Sequence, residues 1–218
     1  QKIFEIKKRK KIPILVGGTG LYFKALTDGL VKIPNIPIKF RNRIRSFQKK
    51  IGQKNFYKKL IELDPSIKKS IKSTDVQRAI RAYEVKLYTK KSLTDWFKNT
   101  KAKFSKDNFF KIYIDVPRPD LIDRISDRSD KMIKQGAIDE VKKFLKLKIN
   151  KNNSSNKVIG INEIRDLLEK KTDLKEIKEK ISIKTRQYAK RQRTWARGQM
   201  FDCYKIQSKD LTKFLKKS

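Results

Sequence analysis

Residues 12–26 read IPILVGGTGLYFKAL, and this stretch decides the fold class. The apolar run at residues 12–16 predicts a β-strand, because it is short and rich in β-branched residues. A glycine-rich turn follows at residues 17–20, and residues 21–26 then predict a helix. A strand, a glycine turn and a helix in this order are typical of a parallel α/β sheet.

The composition is strongly basic. The 218 residues include 58 Lys and Arg but 23 Asp and Glu, which gives a formal net charge of +35. Such a charge favours a polyanion as the partner. Most of the basic residues are Lys, and the chain is also rich in Ile and Asn, so a genome-wide compositional bias explains the bulk charge equally well.

Residue types that are scarce exclude several classes of mechanism. The chain has no His and a single Cys, Cys203. Catalytic triads with a His base are therefore excluded within this chain, as are an internal disulfide and a zinc site built from its side chains. No apolar run approaches the roughly 20 residues that a membrane span needs, so we expect no membrane partner.

The remaining pattern predicts three parts. We expect residues 1–36 to form the first part of an α/β core and residues 37–104 to form a helical lobe with RNA contacts. Residues 105–218 are expected to continue the core and to end in a basic helix. Within the lobe, residues 56–63 predict a short helix, and Asp75 is placed to cap the next one.

The third part alternates strand and helix signals. Residues 109–116 (FFKIYIDV) predict a strand, and residues 121–135 and 138–147 predict two helices separated by a glycine. Residues 148–157 are polar and predict a loop. Residues 174–197 predict one long helix.

Two segments carry residues suited to RNA. In residues 75–81 (DVQRAIR), Gln77 can read a base edge, while Arg78 and Arg81 can hold phosphate. In residues 185–197 (TRQYAKRQRTWAR), basic residues alternate with two aromatic residues and two amides, a mixture that can hold both backbone and bases. The structural alternatives are a solvated helix face and a basic helix around a buried Trp.

The glycine turn is a third candidate. Its backbone N–H groups and one hydroxyl stand at a helix N-terminus, which suits an anion. The motif does not match GxxxxGK[ST], so these residues form no P-loop. A tight turn between strand and helix is the alternative.

Four segments occur in the order of one known family. They are residues 14–22 (ILVGGTGLY), 75–85 (DVQRAIRAYEV), 160–163 (GINE) and 185–195 (TRQYAKRQRTW). Over nearly all of its length the chain closely resembles the tRNA dimethylallyltransferase family, the bacterial tRNA isopentenyltransferases. The resemblance implies an α/β fold, namely a P-loop NTPase-like parallel sheet core, with its first part missing here, and an inserted helical lobe.

The resemblance also implies an activity. Members of the family transfer a dimethylallyl group from dimethylallyl diphosphate to N6 of adenosine 37 in tRNA, with Mg²⁺. The implied partners are therefore the tRNA anticodon stem-loop and dimethylallyl diphosphate, and the implied protein is a cytoplasmic monomer. The target base is drawn out of the anticodon stack, which exposes N6 at the cost of unstacking.

Individual positions of the family's motifs carry over to this chain. Thr19 matches the threonine beside the accepting base and is the implied adenine-positioning residue. Arg124 and Arg128 match an arginine-bearing helix and are candidates for binding the diphosphate or RNA phosphate. No metal ligand is implied among these residues. The implied tRNA contacts are Thr19, Arg41, Gln77, Arg78, Ala79, Ile80, Arg81, Lys157, Val158, Ile159, Gly160, Ile161, Asn162, Lys190, Arg191, Gln192, Arg193, Thr194, Trp195, Ala196 and Arg197.

The chain departs from the family pattern in two places. Ile161 and Asn162 stand where many members have Tyr and a basic residue, which weakens a side-chain contact there. The family's P-loop and acidic general base lie upstream of its equivalent of IPILVGGTG, and neither is present in this sequence. Because the chain also starts at Gln1, we expect an N-terminal truncation that leaves this chain inactive alone, with Mg²⁺ bound mainly through the missing part.

Two other functions remain open. A sister enzyme that prenylates a free adenine nucleotide would share the fold and the donor, but it needs no long RNA-binding surface. A non-enzymatic RNA-binding protein would need the basic segments but not the glycine turn.

Overall fold

The computed structural model describes residues 1–150 and 153–217, in which ten α-helices accompany one two-stranded parallel sheet. The helices and strands are α1 (Lys2–Lys8), α2 (Gly20–Thr27), α3 (Ile38–Leu63), α4 (Val76–Thr89), α5 (Leu93–Lys98), β1 (Ile112–Asp115), α6 (Arg118–Lys134), α7 (Ala137–Lys146), α8 (Ile161–Leu168), α9 (Leu174–Gln199), β2 (Tyr204–Gln207) and α10 (Leu211–Lys217).

The chain divides into two compact units. Residues 1–20 and 110–217 form one, here called the sheet unit, and residues 21–109 form the other, the helical unit. The sequence places the boundaries after residues 36 and 104, whereas the structure has them after residues 20 and 109. Residues 21–36 group with the helices because Ile36 is buried in the helical core, with Ile33 packed against it.

The helical unit is built on α3 and α4. Gly52 interrupts α3 with a positive φ of 74°, so the helix predicted at residues 56–63 is the second half of α3. Phe56 and Leu60 from this half are fully buried, together with Val85 of α4. These apolar residues recur at helical spacing and fix the face on which α3 and α4 pack.

Asp75 caps α4, as its sequence position predicts. Its carboxylate accepts a hydrogen bond from the backbone N–H of Arg78 at 3.0 Å. A side-chain acceptor at this position satisfies one of the donors that a helix start leaves unpaired. The cap therefore fixes where the Gln77–Arg81 segment begins.

In the sheet unit, β1 and β2 pair in parallel, with Ile112 opposite Tyr204 and Asp115 opposite Gln207. Strand β1 lies inside the predicted strand at residues 109–116, whereas β2 was not predicted. Helices α7, α8 and α9 enclose a second core around Val141, Ile164 and Ile177.

The helices predicted for the third part are confirmed. α6 and α7 are separated at Gly136, which has a φ of 97°, and α9 runs unbroken to Gln199. In the predicted loop at residues 148–157, residues 151 and 152 lie outside the described residues, and residues 154–157 form a single 3₁₀ turn.

The strand predicted at residues 12–16 is wrong. This segment forms neither a strand nor a helix, and Ile12 and Val16 are 86% and 90% exposed. A β-strand exists through hydrogen bonds to a neighbouring strand, and in the described part of the chain none lies beside this run. The helix after the glycines is confirmed as α2, so the observed architecture is mostly helical with a small parallel sheet.

No helix among the described residues is both long enough and apolar enough to span a membrane.

Candidate nucleic-acid interface

The glycine turn at residues 17–20 packs against α9. A Cβ atom on Gly18 would overlap the side-chain amide of Gln192, and one on Gly20 would overlap the indole ring of Trp195. Glycine at both positions therefore permits a close approach of backbone to side chain. Thr19 lies between them and is exposed. The structure thus brings Thr19 next to the basic segment that the sequence singled out.

The C-terminal half of α9 also presents exposed cations. Lys190, Arg191 and Arg197 are exposed, and the guanidinium of Arg191 lies 5.6 Å from the centre of the Tyr188 ring. Ala196 is buried and belongs to the core. Exposed cations with a neighbouring aromatic ring can bind the backbone of a single-stranded RNA loop.

Arg193 differs from the other basic residues of this segment. It pairs with Asp115 at the end of β1, with 3.7 Å between Nη2 and Oδ2. Burial raises the pKa of the nearby Tyr113 phenol, and Asp115 raises it further, against a smaller opposing effect of Arg193 and Arg197. Tyr113 therefore stays a neutral phenol. The ion pair with Asp115 means that Arg193 serves first to hold α9 against the sheet.

The segment at residues 157–162 is fixed at the start of α8. Gly160 is buried with a φ of 106°, and its N–H donates to the carboxylate of Glu163 at 2.8 Å. The same carboxylate pairs with Lys184 of α9. Burial by itself raises the pKa of Glu163, but Lys184 and the Gly160 N–H outweigh it and lower the pKa below its ordinary value. This pair anchors the segment to α9.

Within this segment few side chains can reach RNA. Ile161 is buried, and the Asn162 amide donates to the Asn156 carbonyl at 3.4 Å and accepts from Arg165 at 3.0 Å. Lys157 and Val158 are exposed. A contact made by the segment therefore falls to its exposed side chains, which include Asn162 as well as Lys157 and Val158, or to its backbone.

Arg124 and Arg128 lie one turn apart on α6 and line the same open cavity of about 560 Å³. Lys131 and Gln135 also line it, as do the carboxylates Asp127 and Glu140. Three cations face two anions, so the cavity has a small positive excess. It can hold an anion, although with less charge than the two arginines alone suggest.

In the helical unit, burial narrows the predicted set of contacts. Gln77 and Arg78 are exposed at the start of α4, and Arg78 pairs with Asp75 at 3.2 Å. Ala79 and Ile80 are 0% and 8% exposed and belong to the hydrophobic core. Of the predicted segment, Gln77, Arg78 and Arg81 are the residues whose side chains can meet an RNA.

Sequence reasoning missed two residues beside Arg41 and Arg81. Glu84 is buried on α4, and both arginines pair with it, as does Arg45. The signal was present, because Arg41 and Arg45 are four residues apart and therefore lie on the same face of α3.

Comparisons with known proteins place the chain in a family. The model of the IPP transferase family matches residues 1–199. A tRNA dimethylallyltransferase of Pelagibacter ubique is 55% identical over 217 residues, covering all of this chain and 69% of that protein. One of Rickettsia massiliae is 39% identical over 221 residues, covering all of this chain and 61% of that protein.

Solved structures of the same kind are similar in fold. A tRNA isopentenylpyrophosphate transferase of Bacillus halodurans has a TM-score of 0.56 and 30% identity, with 94% of this chain and 63% of that one covered. A eukaryotic dimethylallyltransferase acting on tRNA has a TM-score of 0.71 and 28% identity, with 97% of this chain and 55% of that one covered. The chain thus spans roughly two thirds of its bacterial relatives' length. It belongs to the IPP transferase family.

Proposed function

We propose that the protein expressed from the complete gene transfers a dimethylallyl group from dimethylallyl diphosphate to N6 of adenosine 37 in tRNA. In this proposal the present chain supplies the tRNA-binding surface and one side of the site for the accepting base. Family membership and the names of the relatives support the reaction class.

One observation in the structure supports this assignment most. The turn that carries Thr19 packs against Gln192 and Trp195, which belong to the basic segment of α9. A hydroxyl that can orient a base therefore lies against the same helix that carries exposed cations able to hold the RNA backbone. An adenine drawn out of the anticodon loop needs both groups at the same place.

The proposed reaction is a substitution at carbon. A bond forms between N6 of the adenine and C1 of the dimethylallyl group, the bond from C1 to the diphosphate oxygen breaks, and N6 loses a proton. Thr19 would orient the base through a hydrogen bond, while Arg124 and Arg128 are candidates to hold the departing diphosphate. The proposal assigns no residue of this chain as the acceptor of the N6 proton.

Magnesium is the cofactor implied by the resemblance, and dimethylallyl diphosphate would bring oxygen ligands for it. Within residues 1–150 and 153–217, no three His, Cys, Asp or Glu side chains are grouped to hold a metal ion. The residues present therefore do not fit a metal site of their own, and the proposal assigns the ion no ligand here.

Similarity to the same relatives supports a finer proposal for the fold. We interpret the sheet unit as part of a P-loop NTPase-like core and the helical unit as a lobe inserted into it, because residues 21–109 separate the two stretches of the sheet unit. A tRNA substrate also implies a cytoplasmic location, and we propose a monomeric protein.

A substrate competition tests the proposed function. The protein from the complete gene is incubated with labelled dimethylallyl diphosphate and tRNA, with and without an excess of AMP. We expect label in the tRNA, at N6 of adenosine 37, and no effect of AMP. Transfer to AMP instead would favour the sister enzyme, and tRNA binding without any transfer would favour an RNA-binding protein. A tRNA with guanosine at position 37 is the matched control.

A further inference from the structure

The helical unit contains a buried carboxylate surrounded by arginines. The Glu84 side chain is 1% exposed, while those of Arg41, Arg45 and Arg81 are 36%, 45% and 40% exposed. The carboxylate thus lies beneath three guanidinium groups that reach solvent. A buried carboxylate needs such partners, because leaving its charge unpaired in the protein interior is costly.

The three pairs are loose. Glu84 Oε2 lies 3.5 Å from Arg41 Nε and 3.5 Å from Arg81 Nη1, and Glu84 Oε1 lies 3.7 Å from Arg45 Nε. In the part of the chain that the structure describes, neither Arg41 Nε nor Glu84 Oε1 has a hydrogen-bond partner. One negative charge therefore gathers three positive charges without neutralising them, and the cluster keeps an excess of two positive charges.

Two of the arginines face the carboxylate through Nε, which leaves their terminal Nη groups available to a ligand. Arg41 and Arg45 contact Glu84 through Nε, and among the described residues no hydrogen bond or ion pair engages their Nη groups. A planar guanidinium with free terminal N–H groups binds a phosphate through two parallel hydrogen bonds. Two such groups held beside one carboxylate, with the Arg81 guanidinium next to them, can engage adjacent phosphates of an RNA strand.

We propose that Glu84 is a positioning residue that holds Arg41, Arg45 and Arg81 together as a phosphate-binding cluster for tRNA, and that Arg45 is a direct RNA contact. The inference rests on the proposed function for the identity of the RNA. It adds Arg45 to the contacts that the resemblance implies, and it gives the buried carboxylate a role in binding rather than in folding alone.

The direction in which Glu84→Gln changes the RNA affinity distinguishes a positioning role from a purely structural one. Glu84→Gln removes a negative charge, and simple electrostatics predicts that a more positive protein binds RNA more tightly. The positioning role predicts the opposite, because three guanidinium groups without a counter-charge repel one another and separate. A structural role predicts a lower melting temperature with unchanged or tighter binding by the folded protein.

The experiment measures binding of the 218-residue chain to a synthetic anticodon stem-loop with adenosine at position 37, over a series of salt concentrations. We expect Glu84→Gln to raise the Kd at least threefold. Arg45→Ala should raise it about fivefold and lower the slope of log K against log salt by about 1. The active fraction of each variant is determined by titration, well below its melting temperature.

Arg43→Ala is the matched control, because Arg43 is an exposed arginine of the same helix whose guanidinium lies 5.4 Å from the centre of the Phe40 ring rather than beside Glu84. It removes the same charge and should change the Kd less than twofold. If Glu84→Gln does not fold, the Kd of Arg45→Lys is compared with that of Arg43→Lys. Lysine keeps the charge of arginine but lacks its fork of N–H donors, so the comparison tests whether Arg45 contacts RNA through that fork.

Each outcome has one meaning. Two results would overturn the proposal, provided that the wild-type chain binds the stem-loop. One is a Kd for Glu84→Gln that is unchanged or lower than that of the wild type. The other is an equal rise in Kd for Arg45→Ala and Arg43→Ala. A wild-type chain that binds the stem-loop no better than an unstructured RNA of equal length contradicts the proposed function itself.

Discussion

Trp195 lies against Gly20 so closely that a Cβ atom on this glycine would overlap the indole ring. The contact joins the glycine turn to α9 within the sheet unit. Gly20 is therefore a packing residue as well as the first residue of α2. The sequence predicts a turn whose N–H groups suit an anion, and the structure shows that the same turn packs against a helix.

Gly20→Ala should destabilise the sheet unit. The added methyl group forces the Trp195 ring to move, and overpacking of this kind costs about 1–3 kcal/mol. Urea unfolding and the wavelength of tryptophan emission measure the effect. Gly198→Ala is the control, since its Cβ would meet nothing within 4 Å and alanine favours a helix, which should stabilise the protein by up to about 0.5 kcal/mol. Equal effects of the two changes would refute the packing role.

The pairing of Glu163 with Lys184 makes stability depend on pH. The pKa of Glu163 in the folded protein lies below its ordinary value of 4.5, despite the opposing effect of burial. The stability that this carboxylate contributes is therefore fully present above pH 4.5 and is lost as the pH falls through the lower folded pKa. Glu163→Gln should cost about 1–3 kcal/mol at pH 7.

Urea unfolding of wild type and Glu163→Gln at neutral and at acidic pH tests this sign. The difference between the two proteins should shrink as the pH falls below 4.5. Asp139→Asn is the control, because Asp139 forms an exposed pair with Lys142 at 3.1 Å, and exposed pairs contribute at most about 1 kcal/mol. A difference at Glu163 that is the same at both pH values would contradict the assignment.

Local signals in the sequence were sufficient for most helices. Asp75 caps α4 because a cap is formed by residues three apart, and Gly136 separates α6 from α7 because its φ is positive. Contacts between residues that are distant in sequence could not be predicted from such local signals. The run at residues 12–16 has the composition of a strand without a neighbour to pair with, and β2 pairs with a strand almost a hundred residues earlier.

In the candidate site, too, local features could be predicted from the sequence and contacts between distant segments could not. The basic residues of α9 were visible as a dense local motif, and Arg191 and Arg197 are exposed as an RNA contact requires. The packing of Gly18 on Gln192 could not be predicted from the sequence, because no local pattern in either segment indicates a contact with the other. Arg45 was overlooked although it lies four residues from Arg41, since its importance depends on Glu84 of another helix.

Arg191 and Arg197 should contribute to tRNA binding and not to donor binding. In the protein from the complete gene, Arg191→Ala and Arg197→Ala should each raise the KM for tRNA about fivefold, which corresponds to about 1 kcal/mol. The KM for dimethylallyl diphosphate should be unchanged, and the salt dependence of tRNA binding should fall by about one counterion for each variant.

Lys175→Ala is the control for this pair. Lys175 is exposed on the first turn of the same helix, so its removal changes the net charge equally at a distance from the glycine turn. Steady-state kinetics with each substrate varied in turn provides the comparison. Equal changes in both KM values, or an equal effect of Lys175→Ala, would show that net charge alone controls binding.

Thr19 is exposed between two glycines, and its hydroxyl makes no hydrogen bond to another residue in the described part of the chain. A β-branched residue is an unusual choice for so tight a turn, since its side chain restricts the backbone. The hydroxyl can both donate and accept, so we expect it to serve the flipped adenine.

Thr19→Val keeps the shape of the side chain and removes the hydrogen bond. Losing one positioning bond in a closed site should cost about 1–3 kcal/mol of transition-state stabilisation, which is about 5- to 150-fold in rate. Single-turnover rates at saturating tRNA, measured on the protein from the complete gene beside a melting curve, separate this role from a turn preference. Because Thr19 lies at the surface of the turn, valine should change the melting temperature little. An unchanged rate constant with a lowered melting temperature would leave Thr19 as a turn residue.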